Sequence, residues 1–283
     1  MSGKDEGKIR TLAMRDGAEL HCRHWSAGST TPRGAVVAVH GIRSHSGWYV
    51  DSCAHVARAG YDVTFVDRRG SGLNRFARGD VERFEVLVDD LCEHVDDVRR
   101  RLGDVPVHLH AVSWGAKLAC ATLIRRPDLA RSLTLVAPGL VSLVDVSPGV
   151  KLRTALALLA NPKKLFDVPL NDPQLFTDNS ERIAWIEDDP LSLRRCTARF
   201  LYQTRRLDRF VRRHARKLRI PVLVMLAGLD RIVDNTGVRR LVERFASRPM
   251  EIVEYPDAAH TLEFEPDPSG IFDDMVKWLD ARG

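Results

Sequence analysis

The sequence predicts an α/β protein: a mainly parallel sheet with helices on both faces and a helical segment inserted late in the chain. Short apolar runs of strand length alternate with stretches whose apolar residues recur every three or four positions, the rhythm of successive strand–helix units. That rhythm breaks at Pro138-Gly139 and resumes at Ile220-Pro221, which leaves residues 139–219 outside it. A chain of 283 residues has room for one large core and such an insertion.

Taken in order, residues 9–14 and 19–26 read as two opening strands forming an antiparallel edge. Ala35-Val36-Val37-Ala38-Val39 is an all-apolar strand that ends at His40. A helix follows near 47–59, then a strand over 61–67. Across 83–102, Phe84, Leu87, Val88, Leu91, Val95, Val98 and Leu102 are spaced for one helix face lying on the sheet. A strand ending at Val112, a helix over 116–125 and a strand over 132–137 continue the alternation. Inside the insertion, 150–160 is bracketed by Pro148 and Pro162, and further helical pieces fall near 180–187 and 191–216. A buried-looking strand in the run Ile220 to Asp230, ending in Gly-x-Asp, and a last one from Met250 to Tyr255 complete the sheet. Residues 1–138 and 220–283 therefore form the core and 139–219 a helical cap.

The most informative run is His110-Ala111-Val112-Ser113-Trp114-Gly115-Ala116. A strand that stops in small-x-Ser-x-Gly with a helix starting at once is the layout of a nucleophile elbow, in which a strained turn lifts one hydroxyl above the sheet at a helix N-terminus. Gly115 lets the turn close without a Cβ. A serine hydroxyl needs a base, and the base needs a carboxylate to fix its tautomer. Downstream, Gly228-Leu229-Asp230 and Ala258-Ala259-His260 each follow a strand, where open parallel sheets place their chemistry. Asp234 competes with Asp230 but suits the N-cap of a helix starting near Thr236. Among the ten histidines, His40, His108 and His110 lie on or beside strands and read as structural. The oxyanion of acyl transfer needs two backbone donors. The N–H of Trp114 and that of Ile42, after His40-Gly41, are the candidates.

These blocks resemble those of the α/β-hydrolases, and within that fold of the monoacylglycerol lipase and lysophospholipase group (serine aminopeptidase S33-like). The match rests on His40-Gly41-Ile42-Arg43-Ser44-His45-Ser46-Gly47-Trp48-Tyr49, Asp67-Arg68-Arg69-Gly70-Ser71-Gly72, Ala111-Val112-Ser113-Trp114-Gly115, Gly228 to Asp234, and Ala259-His260. The resemblance implies an α/β-hydrolase fold with Ser113 as nucleophile, Asp230 and His260 as its relay, and Ile42 and Trp114 as oxyanion donors. Ala111 stands where the elbow usually has Gly, and Ile42 is bulkier than usual at its position. The implied activity is hydrolysis of carboxylic esters with a lipophilic acyl group through an acyl-enzyme, with no cofactor. The cap stripe Leu152, Ala155, Leu156 and Leu159 is then expected either to pack on the body or to line an acyl channel.

Other readings remain open at this stage. A thioesterase would use the same residues. A prolyl aminopeptidase-like enzyme would need cap carboxylates for a free amine, for which Glu187, Asp188 and Asp189 are available. A non-enzymatic binding module on this fold would typically lack a triad member. Dehalogenases and epoxide hydrolases need Asp where Ser113 stands. Gly70-Ser71-Gly72 lacks the full dinucleotide pattern and reads as a tight turn.

Composition narrows the class further. Hydrophobic content of 44% and charged content of 29% are those of an ordinary globular protein. The polar start and the absence of a long apolar run argue against a secretion signal or membrane span. Five dispersed cysteines (Cys22, Cys53, Cys92, Cys120, Cys196), with neither metal spacing nor a pairing pattern, suggest reduced thiols in the cytoplasm and no metal. Net charge is +5, with eleven Lys or Arg and one acid, Asp208, between Arg194 and Arg219. Without a nucleic-acid motif, that stretch is expected to be a solvated face or a peripheral contact with anionic membrane. Oligomeric state has no signal in the sequence.

Overall fold

The computed structural model describes residues 5–29 and 31–283. Eight strands form one sheet: β1 (Lys8–Ala13), β2 (Glu19–Trp25), β3 (Gly34–Val39), β4 (Tyr61–Val66), β5 (Val107–Val112), β6 (Ser132–Val136), β9 (Val222–Ala227) and β10 (Met250–Tyr255), in the order β1-β2-β4-β3-β5-β6-β9-β10. β1 and β2 run antiparallel at one edge, and every pairing from β4 to β10 is parallel. The parallel strands β3, β4, β5, β6 and β9 are buried almost throughout. Their near-continuous apolar sequences reflect burial on both faces.

Helices cover both faces. α1 (Val50–Arg58) and α8 (Ser269–Asp280) meet on one side, where Cys53, Val56, Met275 and Leu279 oppose Val36, Ala38 and Val63. α2 (Phe84–Leu102) and α3 (Gly115–Arg125) meet on the other. α2 buries Phe84, Leu87, Val88, Leu91, Val95 and Val98, six of the seven residues its spacing singled out. Full burial of one such side chain is worth about 1.5–3 kcal/mol, so this stripe anchors α2 firmly. α7 (Asn235–Val242) starts at Asp234, whose carboxylate accepts the Gly237 N–H at 2.9 Å.

The segment between β6 and β9 holds α4 (Pro148–Ala160), β7 (Leu165–Asp167), α5 (Ser180–Asp188), β8 (Arg195–Thr197) and α6 (Ala198–His214). Two expectations need correction here. The helix expected over 191–216 is preceded by a strand: β8 pairs antiparallel with β7, and Thr197 then caps α6 by accepting the Phe200 N–H. The α4 stripe neither packs on the body nor lines an interior, because Leu152, Leu156 and Leu159 are 62%, 58% and 88% exposed. α4 is apolar on both sides, so periodicity could not choose its packed face. Val150, Ala157 and Leu158 are the residues that meet Phe166, Ala198 and Leu201. No described helix is long and apolar enough to cross a membrane.

Candidate active site

Three loops at the carboxyl ends of parallel strands bring the predicted residues together. At the end of β5, Ser113 takes φ 52°, a left-handed conformation costly for a non-glycine residue. Its backbone is held on both sides: the Ser113 N–H donates to the Val136 carbonyl at 2.9 Å, and the Ser113 carbonyl accepts the Gly139 N–H at 2.8 Å. Gly115 is required by packing, since a Cβ there would lie 2.7 Å from the carbonyl oxygens of both Val39 and His40. The elbow thus sits directly against the exit of β3. Ser113 is only 8% exposed, so its hydroxyl is largely enclosed.

After β9, Asp230 Oδ1 accepts the N–H groups of Ile232 (2.8 Å) and Val233 (2.9 Å), which fixes the carboxylate. Oδ2 accepts the His260 Nδ1–H at 2.8 Å. A carboxylate can only accept, so Nδ1 carries the hydrogen and neutral His260 presents Nε2 as acceptor. The Ser113 Oγ–H donates to that nitrogen at 3.0 Å. The loops bearing Asp230 and His260 also bind each other, through Gly228 N–H to the Tyr255 carbonyl (2.8 Å) and Leu229 N–H to the Ala258 carbonyl (2.9 Å). Asp234 stays outside this relay as the cap of α7.

The Ile42 and Trp114 N–H groups donate to no acceptor among the described residues. Gly41 lies so near the elbow that a Cβ there would stand 3.2 Å from Ser113 Cβ, which puts the Ile42 amide beside Ser113. His40 ties this loop down: Nδ1–H donates to the Gly41 carbonyl (2.8 Å) and Nε2 accepts the Arg68 N–H (3.0 Å). Burial holds His40 well below the usual histidine pKa, so it remains neutral. His108, bonded through Nδ1 to Ser132 Oγ at 2.8 Å, and His110 are both pushed down to about 4 by burial. Neither reaches the relay.

Sequence patterns did not announce how the inserted segment grips the body. Asp189 accepts from His45 Nε2 (3.1 Å), Trp48 Nε1 (2.9 Å), Ser192 Oγ (2.8 Å) and the Leu191 N–H (2.9 Å). Burial works to raise its pKa, but the His45 hydrogen bond and the other donors outweigh it and hold the carboxyl far below the usual range. Asp189 is therefore committed to a structural joint and does not await a substrate amine; Glu187 and Asp188 are exposed. The signal lay in the His45-Ser46-Gly47-Trp48 block, whose buried donors call for an acceptor. Phe176, also from the insertion, sets its ring edge-on to His260 at 5.8 Å.

Three residues beyond His260, Glu263 accepts the Asp51 and Ser52 N–H groups, both at 2.9 Å, at the start of α1. Burial pushes its pKa up from 4.5 to about 7 despite those donors. The folded protein then holds this proton more tightly than the unfolded chain. The contribution to stability is complete below the unfolded value and is lost as pH rises through the folded one. Between pH of about 5 and about 8 the melting temperature should fall in the wild type and fall less in Glu263→Gln. Parallel melting curves across that range for the two proteins would refute this assignment.

Among the described residues, no three His, Cys, Asp or Glu side chains gather as metal ligands. Residues 30–267 match the family described as "Serine aminopeptidase, S33". The monoglyceride lipase of Mus musculus is 27% identical over 96% of this chain and 90% of its own length. The monoacylglycerol lipase of Mycolicibacterium smegmatis is 29% identical over 88% and 89%. In structure the chain is similar to the Paleococcus ferrophilus monoacylglycerol lipase, with a TM-score of 0.82 at 24% identity over 94% of this chain and all of that one. A soluble variant of the Saccharomyces cerevisiae monoglyceride lipase gives 0.84 at 20% identity, covering 100% and 97%.

Proposed function

The chain belongs to the serine aminopeptidase S33 family of α/β-hydrolases, and from that premise we propose that it is an ester-cleaving enzyme acting on lipophilic acyl esters through Ser113, His260 and Asp230. The observation that carries the reading is the continuous relay from Ser113 Oγ to His260 Nε2 (3.0 Å) and from His260 Nδ1 to Asp230 (2.8 Å), beside two uncommitted N–H groups. His260 takes the hydroxyl proton as Ser113 attacks the ester carbonyl. The developing oxyanion is received by the Ile42 and Trp114 N–H groups. His260 then returns the proton to the departing alcohol. Water, deprotonated by the same imidazole, releases the acid from Ser113. Asp230 stabilises the imidazolium and keeps its tautomer. The segment over residues 139–219 acts as the cap over this site.

The test is hydrolysis of p-nitrophenyl esters from acetate to palmitate. Turnover rising to a maximum at medium or long chains is the expected result. Turnover confined to acetate, or found only with acyl-CoA, would remove the lipophilic-ester reading.

The exposed α4 leucines suggest where such a substrate is met. Leu152, Leu156 and Leu159 protrude beside Arg153, Lys163 and Lys164, an apolar face with a cationic margin suited to an anionic bilayer. This face is proposed alongside the contact expected over 194–219. In that stretch Arg199, Arg205 and Arg206 pair with Asp80, Asp145 and Glu85. Co-sedimentation with phosphatidylglycerol vesicles should drop several-fold in Leu156→Ser/Leu159→Ser, and unchanged binding would remove the contact. The five cysteines are buried and unpaired, which supports a working place in the reducing cytoplasm.

A further inference from the structure

Arg68 follows β4 in the turn after Asp67 and is 3% exposed. The proposed relay makes no use of it. Its Nη2 donates to two successive carbonyls, Gly41 at 2.8 Å and Ile42 at 2.9 Å. Its guanidinium carbon lies 4.6 Å from the centre of the Trp114 ring, and that ring stacks on Phe200 of α6 at 5.7 Å. Nε and Nη1 are buried with no acceptor, and among the described residues no carboxylate lies within 4 Å of the group. Asp67, its nearest acid, spends its oxygens on the N–H groups of Ser46 (2.7 Å) and Leu73 (2.8 Å). Cys196 and Tyr49 also face Arg68, and burial raises the pKa of both, so both stay neutral.

A buried cation without a carboxylate partner is costly and is poorly explained by stability alone. Its contacts point to another use. The Gly41 carbonyl and the Ile42 N–H belong to one planar trans peptide and point in opposite directions. Holding the oxygen therefore aims the N–H. Arg68 Nη2 and His40 Nδ1 converge on that oxygen, and the same guanidinium braces the indole of Trp114, the other donor residue. We propose that Arg68 is a positioning residue of the oxyanion hole: it orients the Gly41–Ile42 peptide and steadies Trp114 so that both N–H groups meet the carbonyl oxygen, while its unpaired charge favours the negative charge that develops there. The proposal rests on the acyl-transfer reading of Ser113.

Arg68→Met and Arg68→Lys should be compared with the wild type in three readouts: kcat and KM on the best p-nitrophenyl ester, inhibition by a matched alkyl trifluoromethyl ketone, and inhibition by a matched ether. The ketone forms a tetrahedral adduct with a serine and loads the oxyanion hole; the ether occupies only the acyl site. In Arg68→Met, kcat and ketone affinity should fall together by about 10- to 100-fold, less than the roughly 10²–10³-fold of losing a donor outright, because the donors stay and only their aim is lost. KM and ether affinity should change less than about threefold, since these report ground-state binding. Lysine keeps the charge but cannot brace both carbonyls and the indole, so Arg68→Lys should fall between. Equal losses for ketone and ether, or unchanged kcat in folded Arg68→Met, would overturn the proposal. Should Arg68→Met not fold, an unaltered ketone-to-ether ratio in Arg68→Lys overturns it equally. Failure of the underlying reading looks different: the wild type itself would resist labelling by a fluorophosphonate.

Discussion

Ser113→Ala is expected to lower ester turnover by about 10⁴-fold or more while the protein stays folded, because loss of one member disables a relay that acts as a unit. The structural cost should be small. Among the described residues Ser113 Oγ bonds no side chain but His260, at 3.0 Å, and the strained φ of 52° is imposed by the Gly139 and Val136 contacts, which alanine keeps. Labelling by a fluorophosphonate should vanish with the activity. Turnover within about tenfold of wild type, with an unchanged melting curve, would mean that the nucleophile lies elsewhere.

Asp230→Asn should be nearly as severe, about 10⁴-fold in kcat, for a different reason. The amide can still accept the Ile232 and Val233 N–H groups, so the loop should hold its shape. Toward His260 it can present an N–H, which favours the tautomer protonated at Nε2 and leaves the serine proton without an acceptor. Asp234→Ala is the matched control four residues on. It removes the cap on the Gly237 N–H and should cost about 1 kcal/mol of stability while sparing kcat. Comparable kcat losses in the two variants would contradict the assignment of the acid.

How much of this was legible in the sequence follows from how local each feature is. The elbow announced itself because strand, small residue, serine and glycine are consecutive, and one steric demand, Gly115 against Val39 and His40, explains the pattern. The position of His260 was readable because it follows the last strand of a parallel sheet. The α2 stripe was readable because only one of its faces is apolar. On α4 both faces are apolar, so spacing fixed a helix but not its orientation, and the leucines expected inside stand in solvent. β8 was hidden inside a helical pattern because its three residues are held by partners distant in sequence, β7 and the Gly79–Asp80 loop.

By itself the sequence determined the order of strands and helices in the main sheet, the elbow, and the positions of Ser113, Asp230 and His260, since each depends on neighbours within a few positions or on the topology of alternating units. Only the tertiary structure decided which distant groups meet. Asp189 could have faced a substrate, but it is spent on His45 and Trp48 across more than a hundred residues of chain. Arg68, an unremarked member of a turn, closes on Gly41, Ile42 and Trp114 at once. Such contacts arise from the packing of whole elements against one another, and the folded chain, unlike its local pattern, sets the partner of a buried charge.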